Sequence, residues 1–265
     1  MENSPVIIVT GASSGIGAAT GRLFAHEGYR VVLAARRMDR LEILTNEIRS
    51  AGGEALPVAT DVGQWEGVQN LAKVALENYG QIDVLFNNAG FGKLDWLEKL
   101  DPSNDIQELI RVNVLGVIWM SQAVLPHMIK RRSGHIINMS SVAGLVAPPT
   151  YCSYSASKFA VSGFTEALRR EVSIYGVRVS GIYPGPVATE FDVHAKIDRK
   201  SGVTTPPWLI LSTEDIALSV LRLTRHPRRR LVIPWLLRMA AFFNYHFPGI
   251  VDWAVVRLFV VRERA

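Results

Sequence analysis

The fold is decided by the stretch Val6-Ile7-Ile8-Val9-Thr10-Gly11-Ala12-Ser13-Ser14-Gly15-Ile16-Gly17, in which an apolar run passes directly into a glycine-rich turn. Four successive β-branched residues are typical of a strand that is buried on both faces. The glycines allow the tight turn and close packing that the start of a following helix requires. We therefore predict a first strand, a turn and a first helix from these residues.

Five more apolar runs follow this first one, and helical patterns separate them. The six runs cover residues 6–9, 31–34, 55–58, 84–86, 135–138 and 177–182. Strands that alternate with helices indicate a parallel sheet with helices on both faces. The expected fold class is α/β, a doubly wound parallel sheet in a Rossmann-like three-layer sandwich.

A single domain is expected over residues 1–265, because 265 residues with 48% hydrophobic side chains suffice for one large core. No internal repeat or low-complexity linker suggests a boundary. Helix ends fit this organisation: Asp39 is expected to cap a helix over residues 40–50, and Ala51-Gly52-Gly53 to end it. Similar stops are predicted at Tyr79-Gly80, Ser133-Gly134 and Tyr175-Gly176.

The formal net charge is +5, but apart from the runs 130–132 and 228–230 the basic residues are scattered. This distribution does not favour a nucleic-acid partner. The single cysteine, Cys152, cannot form an internal disulfide. Without a recognisable secretory leader, we expect a cytoplasmic protein.

The turn after the first strand has the glycine spacing G-x-x-x-G-x-G, which places backbone N–H groups at a helix N-terminus. That arrangement suits the pyrophosphate of a dinucleotide. The second strand ends in Ala35-Arg36-Arg37 and lacks the acidic residue that would bond a ribose 2′-hydroxyl. Arginine suits a 2′-phosphate, so we expect NADP(H), bound most directly by Arg36 with help from Ser13 and Arg37.

Tyr154 and Lys158 lie four residues apart in a predicted helix over residues 153–175, and therefore share one helix face. A nearby ammonium lowers the pKa of a phenol and suits it to proton transfer. The run 136–141 ends a strand in Ser140 and Ser141, and strand carboxyl ends are where ligands bind in such sheets.

Together these motifs closely resemble the classical short-chain dehydrogenase/reductases, over residues from about 6 to about 189. Asn87-Asn88-Ala89-Gly90 is similar to the sheet-stabilising motif of that family. The resemblance implies four catalytic residues, which are Asn113, Ser141, Tyr154 and Lys158.

The resemblance also implies a role for each. Tyr154 would donate its proton to a carbonyl oxygen as hydride reaches the carbon, and Ser141 would hold that oxygen. Lys158 would bond the nicotinamide ribose and tune Tyr154, while Asn113 would hold a water in the proton relay. Ser141 is chosen over Ser140 because its spacing to Tyr154 is similar to that in many family members.

Cofactor contacts are expected along the ends of the strands. The predicted cofactor-binding residues are Gly11, Ser13, Ser14, Gly15, Ile16, Gly17, Arg36, Arg37, Asp61, Val62, Asn87, Ala89, Gly90, Tyr154, Lys158, Pro184, Gly185, Val187 and Thr189. By resemblance, Asp61 would contact the adenine amine and the loop 184–189 would meet the carboxamide. No metal site is expected.

The expected activity is NADP(H)-dependent hydride transfer to a carbonyl compound, or from a primary or secondary alcohol. Residues 91–100, with Leu94 and Trp96, are expected to form the wall opposite the predicted substrate loop 190–211. Together the two segments suggest an apolar substrate. The alternative is a catalytically silent NADP(H)-binding sensor or scaffold on the same fold. Loss of Tyr, Lys or Ser would mark that alternative, and all three are present.

The C-terminal extension, residues 231–265, is rich in aromatic side chains that prolines and charges interrupt, and so does not predict a membrane span. Three interpretations are open: a helical pair docked on the domain, an oligomer contact, or an interfacial membrane anchor. We expect docking or an oligomer contact rather than the anchor, because helical aromatics more often belong to a core. The family resemblance implies a homodimer or homotetramer.

Overall fold

The computed structural model describes residues 4–189 and 205–264. In these residues, parallel strands form one sheet in the order β3-β2-β1-β4-β5-β6-β7. The strands are β1 (Val6–Thr10), β2 (Arg30–Ala35), β3 (Glu54–Ala59), β4 (Val84–Asn87), β5 (Gly134–Met139), β6 (Val177–Pro184) and β7 (Arg230–Ile233). The six predicted strands are confirmed, each longer by one or two residues. The edge strand β7 was not predicted, because its residues resemble the rest of the apolar C-terminal extension.

Helices cover both faces of this sheet. They are α1 (Gly15–His26), α2 (Met38–Ser50), α3 (Trp65–Tyr79), α4 (Pro102–Arg131), α5 (Cys152–Val172), α6 (Thr213–Arg225), α7 (Leu236–His246), α8 (Pro248–Val255) and α9 (Val261–Arg264). Side chains of α1, α2 and α6 form one core with Ile7 and Val9, whereas those of α3, α4 and α5 form a second with Val6 and Ile8. The expected three-layer α/β sandwich is confirmed.

Helix α4 is long and apolar enough to cross a membrane by length and composition alone. Its side chains Val117, Met120 and Val124 are buried against the sheet. A core helix of a sandwich meets the same criteria, and we assign α4 to the second core.

Two predicted helix boundaries are wrong. Helix α2 begins at Met38 with Arg37 as its N-cap residue, so Asp39 lies in the first turn and interacts with the helix dipole instead of capping it. Helix α4 ends through Arg132 in the left-handed conformation, while Gly134 already belongs to β5. The stops at Gly80 and Gly176 are confirmed, since both adopt positive φ.

The C-terminal extension forms helices α7 to α9, yet none of their side chains is buried. Trp235 is 73% exposed and Trp253 is 67% exposed. The expectation that these aromatics belong to a core of this chain is therefore wrong, whereas an oligomer contact stays a prediction. The helices contact the domain, as Leu237 does at Gly185, but most of their large aromatic side chains are exposed.

Candidate active site

The predicted site residues follow the carboxyl ends of neighbouring strands. The glycine turn follows β1, Asn88 and Gly90 follow β4, and Ser141 follows β5. Strand β1 lies between β2 and β4, which is the point where the strand order reverses. Open α/β sheets bind ligands in the crevice at that point.

The turn after β1 is held against β4. The Thr10 hydroxyl accepts hydrogen bonds from the backbone N–H groups of Asn88 and Ala89, both at 3.0 Å. Gly11 has a φ of +66°, and a Cβ there would lie 2.9 Å from the Ala89 Cα. A Cβ on Gly17 would lie 2.3 Å from the Gly11 carbonyl oxygen. The turn thus forms a close-packed cradle of backbone groups at the start of α1.

We expect Gly17→Ala to destabilise the protein by about 1–3 kcal/mol, because the new methyl group overlaps backbone that cannot move aside. The matched control is Gly163→Ala in α5, where a Cβ would meet no atom within 4 Å. That change should stabilise by about 0.5–1 kcal/mol, since glycine costs entropy in a helix. Urea unfolding of both variants measures the difference, and an equal effect at the two positions would contradict this packing.

Arg36 and Arg37 are exposed at the end of β2, beside the turn. The Arg37 guanidinium donates to the Ser13 hydroxyl at 3.0 and 3.2 Å and to the Ser14 hydroxyl at 3.1 Å. Arg37, predicted only to assist, is the arginine that contacts these serines. Both cations and both hydroxyls therefore belong to one polar rim of the cradle.

Asp61 and Val62 follow β3. One carboxylate oxygen of Asp61 accepts from the Gly63 N–H at 2.9 Å, and the other lies 3.4 Å from the Arg111 guanidinium. Val62 is buried and would contact a Cβ placed on Gly116 of α4. These contacts hold the Asp61 carboxylate at the rim on the β3 side of the crevice.

Asn87 has a structural role in this fold. Its buried amide nitrogen donates to Asn138 Oδ1 at 2.9 Å and to the Ser121 hydroxyl at 3.1 Å. It thereby joins β4 to β5 and α4. The fold uses the side-chain nitrogen of Asn87, while its buried Oδ1 has no hydrogen-bond partner among the described residues.

Two predicted catalytic residues, Asn113 and Lys158, both lie close to Gly90. A Cβ on Gly90 would lie 3.0 Å from Asn113 Oδ1 and 3.5 Å from Lys158 Nζ. Asn113 is fully buried in a π-helical stretch of α4, Arg111–Leu115. Its amide donates to the Phe91 carbonyl at 2.9 Å and accepts from the Phe91 N–H at 3.0 Å. Such π-helical stretches recur at functional sites, and this one fixes the Asn113 amide beside Lys158.

Tyr154 and Lys158 lie on α5, as predicted, and are 8% and 4% exposed. The Lys158 ammonium lies 5.7 Å from the centre of the Tyr154 ring and donates to the Met139 carbonyl at 3.1 Å. Burial lowers the pKa of Lys158 to about 8. Most of the lysine is still charged at pH 7, and a nearby cation favours the phenolate form of tyrosine.

The two serines after β5 have different surroundings. The Ser140 hydroxyl is buried and donates to the Lys158 carbonyl at 3.0 Å. Ser141 is partly exposed, and its hydroxyl accepts from the Ala143 N–H at 3.1 Å. A hydroxyl oxygen that accepts through one lone pair can still donate its proton. Ser141 is thus the serine whose proton is available to a ligand.

The loop after β6 closes the crevice on the β1 side. Gly185 donates to the Ile233 carbonyl at 2.7 Å, and Val187 pairs with Leu211. A Cβ on Gly15 would lie 3.5 Å from the Thr189 side chain, so the loop meets the glycine turn. Of the predicted substrate loop 190–211, residues 190–204 lie outside the described residues.

An apolar wall surrounds Tyr154. Leu94, Leu109 and Ala143 pack with it in one cluster, together with Phe91 and Tyr151. Leu94 was predicted in this wall. Trp96, the other residue predicted there, contacts the Arg264 guanidinium, 3.9 Å from its ring centre.

Sequence reasoning missed two supporting residues. The buried Ser157 hydroxyl accepts from the Asn113 amide at 3.2 Å, a contact between α4 and α5 that no local pattern indicates. Thr150, just before α5, has a φ of +68°. Such a conformation is unusual for a β-branched residue and often occurs near active sites. Among residues 4–189 and 205–264, no group of three His, Cys, Asp or Glu side chains could hold a metal ion.

Comparisons with known proteins match this architecture. A model of the short chain dehydrogenase family matches residues 5–200. An uncharacterized oxidoreductase of Listeria innocua is 44% identical over 187 residues, which are 70% of this chain and 75% of the relative.

Two solved structures resemble the whole fold. One is a short chain dehydrogenase/reductase from Burkholderia phymatum in complex with NAD, with a TM-score of 0.84 and 29% identity over 93% of this chain and 95% of that chain. The other is an alcohol dehydrogenase from Thermococcus sibiricus complexed with 5-hydroxy-NADP, with a TM-score of 0.77 and 30% identity over 87% of this chain and 96% of that chain. The chain therefore belongs to the short-chain dehydrogenase family, a family of oxidoreductases.

Proposed function

We propose that this protein is an NADP(H)-dependent oxidoreductase that transfers hydride between the nicotinamide and an apolar carbonyl compound or the corresponding alcohol. The observation that carries the proposal is the buried Lys158 ammonium beside the Tyr154 ring, at the strand ends where ligands bind. A buried lysine is rare, because desolvation of the ammonium is costly, and such a group in a cleft marks a candidate functional site.

In the direction of reduction, the Tyr154 hydroxyl donates its proton to the carbonyl oxygen, and in oxidation the phenolate takes it back. The Ser141 hydroxyl donates a hydrogen bond to the same oxygen. The Lys158 ammonium stabilises the phenolate that remains after proton donation. The nicotinamide, when bound, supplies or accepts the hydride.

Asn113 is the fourth catalytic residue of the proposal. Its amide is fixed to the Phe91 backbone beside Lys158. We propose that it holds a water through which a proton reaches Lys158 and Tyr154. The buried position of Asn113 keeps that path apart from bulk solvent.

The residues present fit a nicotinamide dinucleotide. The backbone cradle around Gly11 and Gly17 leaves no room for side chains where a pyrophosphate would approach. NAD and 5-hydroxy-NADP are bound in the Burkholderia and Thermococcus structures, respectively. The arginine pair at the end of β2 supports the 2′-phosphate, and hence NADP(H), for this chain.

We expect Arg36→Ala to lower the preference for NADPH over NADH by about tenfold or more, since a charge-assisted contact to phosphate contributes roughly 1.5–3 kcal/mol. The ratio of kcat/KM for the two cofactors measures this preference. Arg178→Ala is a matched control, because Arg178 is exposed near the opposite end of the sheet. Equal kcat/KM for NADH and NADPH in the unchanged protein would overturn the cofactor assignment.

The activity itself is tested by following NADPH absorbance with a panel of ketones, aldehydes, steroids and lipid-derived carbonyl compounds. We expect turnover to be highest with apolar members, because Leu94, Leu109 and Phe91 surround Tyr154. Saturable NADPH binding without turnover of any member would instead favour the silent sensor or scaffold.

We also propose a homo-oligomer in which a second copy covers the outer face of α4 and α5. A shallow cleft there is lined by Ile118, Leu125, Ile129 and Phe164. Apolar lining of this kind suits a contact between copies. Such a contact leaves the carboxyl ends of the strands open to cofactor and substrate.

A further inference from the structure

We infer that the C-terminal helices bind the surface of an anionic lipid bilayer beside the opening of the active site. The C-terminal face, as we call it, consists of the exposed apolar side chains in residues 235–261. Its largest members include Trp235, Phe242, Phe243, Tyr245, Ile250 and Trp253.

The C-terminal face exposes more apolar surface than is usual for a monomer, which indicates that it binds a partner. A tryptophan side chain offers roughly 150–250 Å². Trp235 and Trp253, at 73% and 67% exposed, therefore place on the order of 300 Å² in solvent by themselves. That area already matches the largest apolar patch of a typical monomer, which is about 300–600 Å². The remaining aromatics add to it.

The formal net charge of the chain lies in the C-terminal segment of its sequence. Residues 228–264 contain seven arginines and two acidic residues, which equals the entire formal net charge of +5. The rest of the chain has a formal net charge of zero. Arg228, Arg229 and Arg230 lie at the far end of β7 from Trp235, where Arg230 pairs with Glu166 at 2.6 Å. These three arginines contribute only to the long-range field.

Arg238 and Arg257 lie among the apolar side chains of the C-terminal face. Both are exposed, and no residue within 4–189 or 205–264 forms a salt bridge with either. The Arg238 side chain lines a shallow cleft with Trp235, Met239 and Phe242. Cations interleaved with aromatic side chains are typical of segments that lie in the headgroup region of anionic membranes.

A bilayer suits this face better than a second copy of the chain does. A two-fold contact would place the same surface patch of each copy against the other. Two surfaces that both carry Arg238 and Arg257 would then face each other, and the acidic residues within 228–264 that could pair with them are only Asp252 and Glu263. Helix α7 has 11 residues, too short to cross a bilayer. Helix α8 continues through the π-helical stretch Val256–Val260 into α9, but Asp252 and Arg257 interrupt its apolar sequence. Neither segment suits a bilayer span, so the face lies on the membrane.

The C-terminal helices contact the segments on both sides of the active-site opening. A Cβ on Gly185, in the loop after β6, would lie 2.5 Å from the Leu237 side chain of α7. At the other wall, Arg264 stacks on Trp96 and forms a 2.8 Å ion pair with Glu98. Bound to a bilayer, the chain would hold its opening next to the apolar phase. A lipophilic carbonyl compound or alcohol is therefore the substrate class, and this part of the inference rests on the proposed function.

The test is flotation of the full chain, loaded with NADPH, on vesicles of phosphatidylcholine alone or mixed with an equal amount of phosphatidylglycerol. We expect the protein to float with the anionic vesicles at low salt, and to float much less with the neutral ones. The Trp235→Ala/Trp253→Ala variant should partition into the anionic vesicles at least roughly tenfold less than the unchanged protein, because two large apolar side chains are lost.

A further variant tests the contribution of charge, and two control variants test whether substitutions elsewhere on the surface alter flotation. Arg238→Gln/Arg257→Gln should reduce flotation by about tenfold, because two arginines that attract the anionic surface are lost. The controls are Ile43→Ala/Ile174→Ala, which removes exposed apolar side chains elsewhere, and Lys130→Gln/Arg169→Gln, which removes charges elsewhere. Both controls should float like the unchanged protein.

Flotation needs no turnover, so its result is independent of the proposed function. Failure of the unchanged protein to float at low salt overturns the inference. So does an oligomer, measured by light scattering without vesicles, that dissociates in Trp235→Ala/Trp253→Ala, because the occupant would then be a second copy. Flotation together with failure to turn over any carbonyl compound would retain the membrane surface and reject the catalytic proposal.

Discussion

Tyr154→Phe should lower kcat by roughly two to four decades, the usual contribution of a positioned general acid or base. The substitution removes one hydroxyl and keeps the ring, which is packed against Leu94, Leu109 and Ala143. We therefore expect the fold and the affinity for NADPH to be retained. Steady-state kinetics with the best substrate of the panel measure the loss, and NADPH fluorescence measures cofactor binding.

The matched control is Tyr175→Phe, which removes a phenol hydroxyl from a half-exposed ring just beyond α5. That variant should keep turnover within a factor of about two, as is usual for surface positions. Turnover by Tyr154→Phe at the rate of this control, with NADPH bound, would remove Tyr154 from its proposed role.

Lys158→Met should have two opposite effects, a loss of turnover and a gain in stability. Turnover should fall by roughly two decades or more, because no cation remains to favour the Tyr154 phenolate. Burial lowers the pKa of Lys158 from 10.5 to about 8. At pH 7 this shift makes the charged lysine cost about 3 kcal/mol in the folded state. Loss of the hydrogen bond from Lys158 to the Met139 carbonyl costs the variant about 1 kcal/mol. Without cofactor, the free energy of unfolding of Lys158→Met should therefore exceed that of wild type by about 2 kcal/mol.

The pH dependence identifies the cause of that gain. Between pH 8 and 10.5, Lys158 binds more protons in the unfolded chain than in the folded protein, so this site makes wild-type stability rise with pH. The advantage of Lys158→Met should disappear across the same interval. Urea unfolding of both proteins without cofactor, at a series of pH values from 7 upward, provides the measurement.

Lys130→Met serves as the control, because Lys130 is exposed on α4. Its stability should stay within about 0.5 kcal/mol of wild type throughout the series. If Lys158→Met is less stable than wild type at pH 7, the ammonium is not a net cost to the fold, and desolvation does not dominate at Lys158.

Much of this protein could be predicted from local sequence. The apolar runs and the glycine turn identified the parallel sandwich, because periodicity and backbone freedom act within a few residues. The strand β7 escaped prediction because a short apolar run beside other apolar residues has no distinguishing period. Asp39 was misplaced as a cap because helix starts depend on the path of the preceding loop, and here α2 begins at Met38.

The site was predictable in part for the same reason. The positions of Tyr154 and Lys158 on one helix face follow from their spacing alone. The sequence does not show that Lys158 is buried, or that Ser157 holds Asn113, because both depend on contacts between α4 and α5. The environment that lowers the pKa of Lys158 is assembled from distant segments.

By itself, the sequence determined the order of the elements, the glycine turn and the identity of the chemical groups, since these are local properties of the chain. Only the tertiary structure decided which groups meet. In the folded chain the Asn87 side chain joins two strands, Arg37 donates hydrogen bonds to Ser13 and Ser14, and the C-terminal aromatic side chains are exposed. Burial depends on packing between elements that are far apart in the chain, and no local pattern specifies it.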